Sequence, residues 1–398
     1  MKAAFSLSYI SAGFVSVLVG YTSSAVIIFQ AAASAGASAA EISSWLWALG
    51  IGMGLTSIGL SLRYRTPVLT AWSTPGAALL VTGLSESTLA EAVGIFIFCS
   101  GLITVCGVSG WFEKLMRHVP KQLAAAMLGG VLLQFGLNLF GVLESQLLLV
   151  GLMLATYLLI RHSLPRYVIP LTLAVGVGMA YWQGQLQLEA LDWTLSRPVW
   201  ITPDFSLQAL IGVGIPLFIV TMASQNVPGI AALRANGYQV PASPLIAWTG
   251  FTGVVLAPFG GFAFNLAAIT AAICMGKEAG VDPHKRYFAS VWAGFFYLLT
   301  GLFGATVAGL FAAFPSELVM AIAGLALLGT IGNSLAASLT EESGREAALL
   351  TFLITASGVT LAGIGSAFWG LVIGLIAYHL QRHYGLGATG TLVKMVKQ

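Results

Sequence analysis

The sequence predicts an all-α polytopic membrane protein in which fourteen transmembrane segments form two inverted repeats of seven. Hydrophobic residues make up 58% of the chain and charged residues only 8%, whereas a soluble domain has about 25% charged residues. Apolar segments separated by short polar stretches recur along the whole chain. Two of these segments, one in each half, are interrupted by Pro and Gly at matching places, which is typical of the substrate sites of transporters.

The apolar segments define the domain organisation. Residues 1–183 form the first repeat with spans 1–7, and residues 207–384 form the second repeat with spans 8–14. The polar residues 184–206 between them read as a periplasmic linker, and residues 385–398 read as a flexible tail or an expression remnant. The spans are expected near residues 8–33, 42–61, 67–83, 90–112, 122–142, 144–161 and 166–183, then near 207–231, 243–257, 261–276, 286–312, 317–338, 346–361 and 363–381.

The basic residues predict the orientation of the chain. With both termini in the cytoplasm, all Lys and Arg before the tail fall on inner loops except Arg197. Cytoplasmic loops are enriched in Lys and Arg, so this bias supports the number of spans and the cytoplasmic termini. Because each half has an odd number of spans, the second half enters the membrane from the opposite side. Such inverted repeats are typical of alternating-access carriers.

The broken segment of the first half reads TPVLTAWSTPGAALLVTG over residues 66–83. We expect Pro67–Trp72 to be extended. Ser73 or Thr74 is then the N-cap of a short apolar helix, because a hydroxyl can accept a hydrogen bond from a free backbone N–H in the first turn. Pro75 suits the first helical position.

The broken segment of the second half reads APFGGFAFNLAAITAAICMG over residues 257–276. Pro258 and Gly260 interrupt the helix, and a short extended piece follows. We expect Asn265 to cap a helix over Leu266–Met275, which would be roughly 15–18 Å long at 1.5 Å per residue and would cross about half of a 30 Å hydrocarbon layer. The N-terminal ends of both half-helices would then meet near the middle of the membrane.

Polar side chains inside the spans are neutral rather than ionised. The eighth span contains Ser224, Gln225 and Asn226, whereas the acidic residues and histidines can all be assigned to loops or span ends. An intramembrane protease, a metal-dependent enzyme or a carboxylate-relayed pump needs ionisable groups at depth, so we expect no enzyme, metal or cofactor. A buried unpaired amide costs about 1–3 kcal/mol, so these groups should contact a ligand or water, or alternatively neighbouring backbone and helices.

Two helix N-termini and amide donors without a carboxylate suit an anion, because free N–H groups and a positive partial charge meet there. Nearby aromatic side chains favour an aromatic carboxylate over a small inorganic ion. The carboxylate would lie between Thr74–Gly76 and Phe264–Asn265, with Gln225 and Asn226 as donors. The candidate substrate-binding residues are Tyr21, Ser73, Thr74, Gly76, Gln225, Asn226, Phe264 and Asn265.

Three stretches resemble BenE-type benzoate/proton symporters of bacterial inner membranes. They read STPGAAL (73–79), ASQNVPGIAALRANGY (223–238) and GGFAFNLAAITAAIC (260–274). This family is similar in plan to uracil, xanthine and SLC26-type anion carriers. The resemblance implies a core domain of spans 1–4 and 8–11, a gate domain of spans 5–7 and 12–14, and substrate held between spans 1, 3, 8 and 10. Proton-coupled nucleobase carriers have acidic side chains on spans 8 and 10, where the matching region of this chain has Gln225 and Asn265 or their neighbours.

The sequence therefore predicts a secondary active transporter of the bacterial inner membrane that imports benzoate or a similar aromatic carboxylate, with the proton as coupling ion. The proton would travel with the substrate or through water and Tyr21. The alternatives are a nucleobase or inorganic-anion carrier of the same fold and an anion channel. The expected partners are the aromatic acid, the proton and the lipid bilayer, with no nucleic acid. The resemblance is compatible with homodimers formed through the gate domain.

Overall fold

The structure, a computed structural model, describes residues 6–112, 120–164, 167–187, 194–276, 279–361 and 366–395. The predicted linker is therefore described only in part, and the basic inner-loop residues within 113–119, 165–166 and 277–278 lie outside the described residues. In the first half the elements are α1 (Leu7–Ser34), α2 (Ala39–Tyr64), β1 (Thr70–Trp72), α3 (Thr74–Gly83), α4 (Leu89–Val108), α5 (Lys121–Ser145), α6 (Leu147–Ile160) and α7 (Val168–Trp182).

The second half begins with a long helix that widens twice into π-helical turns. This helix, α8 (Leu207–Arg234), contains the π segments Leu210–Gly214 and Met222–Asn226. Such turns are frequent at functional sites. The remaining elements are α9 (Ala242–Leu256), β2 (Phe264–Leu266), α10 (Ile269–Met275), α11 (Tyr287–Leu302), α12 (Gly304–Ala312), α13 (Ser316–Ser338), α14 (Arg345–Ala356) and α15 (Ser366–Met395).

Several of these helices are long and apolar enough to cross a membrane. Within the described residues, six helices meet this condition by length and composition, or up to eight if each of two bent pairs counts as one span. One bent pair lies within α1, and the other joins α11 to α12 at an angle of 68°. The expectation of a helical membrane protein is thus confirmed, whereas the number of fourteen spans stays a prediction.

Both predicted interruptions are present. In the first half, β1 precedes α3, and the Ser73 hydroxyl accepts a hydrogen bond from the Gly76 N–H at 3.0 Å, which confirms Ser73 as the N-cap. In the second half, a 3₁₀ turn over Ala257–Phe259 ends at Gly260, whose φ is +92°. A Cβ at Gly260 would lie 1.9 Å from the Trp45 ring, so only glycine fits there.

The predicted helix after the second interruption begins later than expected. Asn265 lies within β2 rather than at a helix N-cap, and α10 has seven residues, roughly 10 Å in length. The reason is that the strand uses the backbone groups a longer helix would need. The Leu266 N–H donates to Asn226 Oδ1 at 3.0 Å, and the Ala267 N–H donates to the Leu69 carbonyl at 2.9 Å.

The two strands come from opposite halves of the chain and pair with each other. They are antiparallel, with Thr70 opposite Leu266, Ala71 opposite Asn265 and Trp72 opposite Phe264. Each strand leads into its own half-helix, so pairing brings the starts of α3 and α10 to the same region of the molecule. This contact was not predicted.

The helices around the strands pack closely across the two halves. Helix α2 packs against α11, and α4 packs against α9. Small residues permit the first contact, because a Cβ at Gly50 would lie 2.5 Å from the Gly301 Cα and one at Gly54 would lie 2.8 Å from the Gly294 carbonyl oxygen. A second group of helices lies beside them, in which α5 packs against α13 and α14.

Residues 194–206 of the predicted linker run along α2 and the break between α11 and α12. The Ser196 N–H donates to the Leu302 carbonyl at 2.8 Å, and the Val199 N–H donates to Ser44 Oγ at 2.9 Å. At the other end of the chain, α15 continues to Met395, past the predicted end of the second repeat at residue 384. Residues 396–398 of the predicted tail lie outside the described residues.

Candidate functional site

Helix α2 holds β1 through a set of buried hydroxyls. The Thr70 hydroxyl lies 2.6 Å from Thr56 Oγ1 and 2.9 Å from Ser57 Oγ, and the Thr70 N–H donates to Ser57 Oγ at 3.0 Å. The Ser61 hydroxyl donates to the Val68 carbonyl at 2.8 Å. All of these hydroxyl-bearing side chains are buried, so the extended chain before α3 satisfies its polar groups inside the protein.

Helix α8 holds β2 through Asn226. The Asn226 side chain is fully buried, its Oδ1 accepts from the Leu266 N–H, and its Nδ2 donates to Met222 Sδ at 3.1 Å. Close approach of the two elements requires Gly229, because a Cβ there would lie 2.7 Å from the Leu266 carbonyl oxygen. Both ends of the Asn226 amide are therefore used within the protein, as the alternative reading of this polar cluster expected.

Helix α1 contributes an aromatic and hydroxyl group next to β1. The Trp72 Nε1–H donates to Ser24 Oγ at 2.8 Å, and the Ser24 hydroxyl donates to the Gly20 carbonyl. The Tyr21 ring meets the Trp72 ring edge to face at 4.8 Å and lies 6.1 Å from the Tyr297 ring of α11. Tyr21 is thus adjacent to β1, as predicted, although Ser24 and Tyr297 were not recognised as its neighbours.

The starts of the two half-helices retain free backbone donors. Among the described residues, the N–H groups of Thr74, Ile269 and Thr270 form no hydrogen bond to a group outside their own helices, and the first N–H groups of a helix have no partner within it. Thr74 is partly exposed and Ile269 is 80% exposed, so both starts reach an accessible surface. Free N–H groups at a helix start attract anions, and in the described parts of α1, α3 and α10 no Asp, Glu, Lys or Arg occurs.

The second predicted amide, Gln225, differs from Asn226. Its side chain is partly exposed, and no described residue forms a hydrogen bond with its amide. It lies in the π-helical turn Met222–Asn226, one residue before the asparagine that holds β2. Gln225 is therefore the predicted donor that is available to a ligand in this conformation.

Phe264 and Asn265 are buried within β2. A Cβ at Gly52 of α2 would lie 2.4 Å from the Phe264 ring, so this ring packs onto the α2 backbone. The Asn265 Nδ2 donates to the Ala263 carbonyl at 3.0 Å, and among the described residues no donor reaches its Oδ1. Ser73, Asn226 and Asn265 are 0% exposed, so no open cavity reaches them in this conformation.

The eight predicted site residues thus form one region around β1 and β2, with different degrees of access. Gly76 packs against α8, where a Cβ would lie 2.7 Å from the Leu217 side chain, and its N–H is used by Ser73. The role of the hydroxyls that hold β1 was not predicted from the sequence. Ser and Thr inside an apolar helix often donate to a carbonyl of their own helix, so their presence does not indicate a distant partner. Only the strand pairing shows what Thr56, Ser57 and Ser61 contact.

Comparison with known proteins identifies a matching family and two similar proteins. A family model described as "Benzoate membrane transport protein" matches residues 3–380. The chain is 52% identical over 367 residues to the inner membrane protein YdcO of Escherichia coli, with 92% of this chain and 94% of that protein covered. It is 42% identical over 380 residues to the benzoate membrane transport protein of Acinetobacter baylyi, with 96% of each chain covered.

Solved structures show the same fold at low identity. The transmembrane domain of the cyanobacterial bicarbonate transporter BicA matches with a TM-score of 0.59 at 14% identity, covering 94% of this chain and 97% of that one. SLC26A9 matches with a TM-score of 0.62 at 13% identity, covering 94% of this chain and 65% of that one. At such identities the likeness concerns the fold alone.

Proposed function

Since this chain belongs to the family of benzoate membrane transport proteins, we propose that it is a secondary active transporter that imports benzoate or a similar aromatic carboxylate. The observation that supports this most is the pairing of β1 with β2, which brings the starts of two half-helices to one region that the π-helical turn with Gln225 also contacts. No Asp or Glu occurs in the described parts of α1, α3, α8 and α10. A benzoate-sized anion needs N–H donors for its charge and apolar walls for its ring.

Each predicted residue has a proposed role in this site. Thr74 and Gln225 donate to the carboxylate. Ser73 and Gly76 set the direction of α3 through their mutual hydrogen bond. Asn226 acts indirectly by holding β2, since its amide is already bonded. Tyr21, Phe264 and Asn265 would contact the substrate after a rearrangement that opens the region around β1 and β2.

We propose that transport follows alternating access between a core domain, spans 1–4 and 8–11, and a gate domain, spans 5–7 and 12–14. The close packing of α2 on α11 and of α4 on α9, beside a separate group containing α5, α13 and α14, supports this division. In a two-repeat fold these contacts would be related by symmetry. Inverted repeats with discontinuous helices at the midplane are typical of such carriers.

Proton symport is proposed as the driving reaction. No acidic side chain lies on the described parts of α1, α3, α8 or α10, so the proton would enter as the carboxylic acid of the substrate or through water and Tyr21. The Asn265 Oδ1 is a buried acceptor without a described donor, and a protonated carboxyl group would provide one. An amide oxygen is a hydrogen-bond acceptor, so Asn265 Oδ1 can accept from the O–H of a protonated carboxyl group.

Uptake of labelled benzoate into proteoliposomes tests the proposal. We expect saturable uptake that increases when the outside is made acidic and that uracil and sulfate do not inhibit. Inhibition by sulfate would favour an inorganic-anion carrier, the second candidate, which the fold likeness to BicA supports. Uptake that never saturates would favour a channel.

Asn265→Ala tests the site. The substitution removes the unpartnered amide oxygen, and we expect uptake to fall at least tenfold, about 1.4 kcal/mol in transition-state or binding free energy. Asn333→Ala, on the exposed part of α13, is the matched control. Full uptake by the Asn265 variant would contradict the assignment.

A further inference from the structure

A cavity lies on the face that is predicted to be periplasmic, away from β1 and β2. Its volume is about 530 Å³, within the range of pockets that bind small molecules. Its walls are mostly apolar and come from the end of α1, the start of α2, the linker and α12. They include Phe29, Ala39, Arg197, Ala305, Ala308 and Gly309.

Arg197 is the charged residue of this wall, and its backbone is held on both sides. The Ser196 hydroxyl accepts from the Ala305 N–H at 2.7 Å and lies 3.1 Å from Ser43 Oγ. Two residues after Arg197, the Val199 N–H donates to Ser44 Oγ at 2.9 Å. These bonds join the linker to α2 and to the start of α12, so the position of Arg197 at the cavity is built into the fold.

Among the residues that the structure describes, the charge of Arg197 has no carboxylate partner. The carboxylate at the start of α2, Glu41, is used in the capping box of that helix, where it accepts from the Ser38 N–H at 2.7 Å. Arg197 is also the exception to the placement of basic residues on predicted inner loops. Basic residues are enriched in cytoplasmic loops, so an arginine on the predicted periplasmic side departs from the pattern. We take its position at an apolar cavity as an indication of an anionic ligand.

We propose that this cavity is a peripheral binding site for an aromatic carboxylate, in which Arg197 pairs with the carboxylate and the ring lies against Phe29 and α12. The inference rests on the proposed function, because it assigns to the same substrate class a docking site on the outer face. A planar guanidinium suits a carboxylate through two parallel hydrogen bonds, and the apolar wall suits the ring. The site would raise the substrate concentration near the outer entrance.

Photolabelling with 4-azidobenzoate tests the site directly. The full-length protein in nanodiscs of zwitterionic lipid would be labelled with and without excess benzoate, and the labelled peptides identified by mass spectrometry. We expect labelling around residues 195–199 or 305–309 that benzoate suppresses. Arg197→Gln should lower it roughly three- to fivefold, the effect of losing one exposed ion pair, and raised salt should weaken it.

Two further variants test whether labelling depends on the open space of the cavity and on the charge of Arg197 in particular. Ala308→Phe keeps the arginine but fills the cavity, and it should also lower labelling. Arg161→Gln removes an exposed arginine that lies against Tyr157 elsewhere in the fold, and it should leave labelling unchanged. Labelling confined to other peptides, or unaffected by both cavity variants, would overturn the proposal. Suppression by anionic lipid in the nanodisc but not by benzoate would overturn it in favour of a lipid site.

The same preparations distinguish this proposal from the transport function. If labelling behaves as expected while uptake of benzoate is absent, the transport proposal fails and the peripheral site remains. If uptake is normal and Arg197→Gln changes neither labelling nor the KM for uptake, the peripheral site is refuted. We expect Arg197→Gln to raise KM a few-fold, with the maximal rate unchanged.

Discussion

Replacing Asn226 by leucine should reveal a residue that positions the site rather than one that binds substrate. The side chain is fully buried between α8 and β2, and its Oδ1 is the acceptor for the Leu266 N–H. Leucine has a similar size but no acceptor. The substitution would leave a buried N–H group without a partner and would free β2 from α8.

The expected loss of stability follows from that unpaired group. A buried donor without an acceptor costs about 1–3 kcal/mol. For 398 residues, an unfolding entropy of about 2.1 cal/mol/K per residue gives roughly 0.8 kcal/mol/K, so the Tm should fall by about 1–4 °C. Asn226→Asp keeps an oxygen acceptor and should stay closer to the wild type at acidic pH, where a buried carboxyl group is neutral.

Thermal unfolding in detergent, followed by size-exclusion chromatography, measures the stability, and proteoliposome uptake measures the function. We expect Asn226→Leu to lower both, with saturating benzoate recovering little of the lost uptake because β2 is displaced. Asn333→Leu, the same change at an exposed position of α13, should alter neither. A variant with wild-type Tm and a greatly raised KM would refute the reasoning, because that result indicates direct contact with substrate.

Three further substitutions test the elements around the site. Ser73→Ala removes the N-cap of α3 and should cost about 1 kcal/mol, with uptake lowered because the start of α3 loses its direction. Gly52→Val should displace the Phe264 ring, an overpacking effect of about 1–3 kcal/mol, and adding Phe264→Leu should recover part of the lost stability in unfolding measurements. Trp72→Phe removes the hydrogen bond to Ser24 Oγ, and uptake should fall because β1 is then held to α1 by ring contacts without that bond.

Each of these changes has a matched control. Ser38→Ala removes the exposed N-cap of α2 and should leave uptake unchanged. Gly59→Val places a side chain on α2 where nothing lies within 4 Å, and Trp248→Phe alters an exposed ring. If a control lowers uptake as much as its partner, the effect belongs to general stability rather than to the region around β1 and β2.

The local features of the two broken segments could be predicted from the sequence. Ser73 or Thr74 was expected to cap a helix at Pro75, and Ser73 does so, because an N-cap depends on groups within three residues of each other. Gly260 was expected to interrupt the helix, and its positive φ agrees with that expectation. The apolar spans could also be predicted from the sequence, since a lipid environment requires long apolar helices. Two of the three motifs that resemble the benzoate family also lie within the two broken segments.

The contacts between the halves could not be predicted in this way. Asn265 has the chemistry of an N-cap, but it lies in a strand because Leu266 and Ala267 bond to Asn226 and Leu69 in distant parts of the chain. Phe264 was expected to contact the substrate, which stays a prediction; only the structure shows that in this conformation its ring packs where Gly52 leaves space on another helix.

The sequence by itself therefore determined the apolar spans, the helix breaks, the cap and the family, all of which depend on composition or on neighbouring residues. The tertiary structure alone decided the pairing of β1 with β2, the partner of Asn226 and the cavity at Arg197. The physical reason is that a backbone N–H can be satisfied by many acceptors. Which acceptor it meets depends on how elements from both halves of the chain pack together.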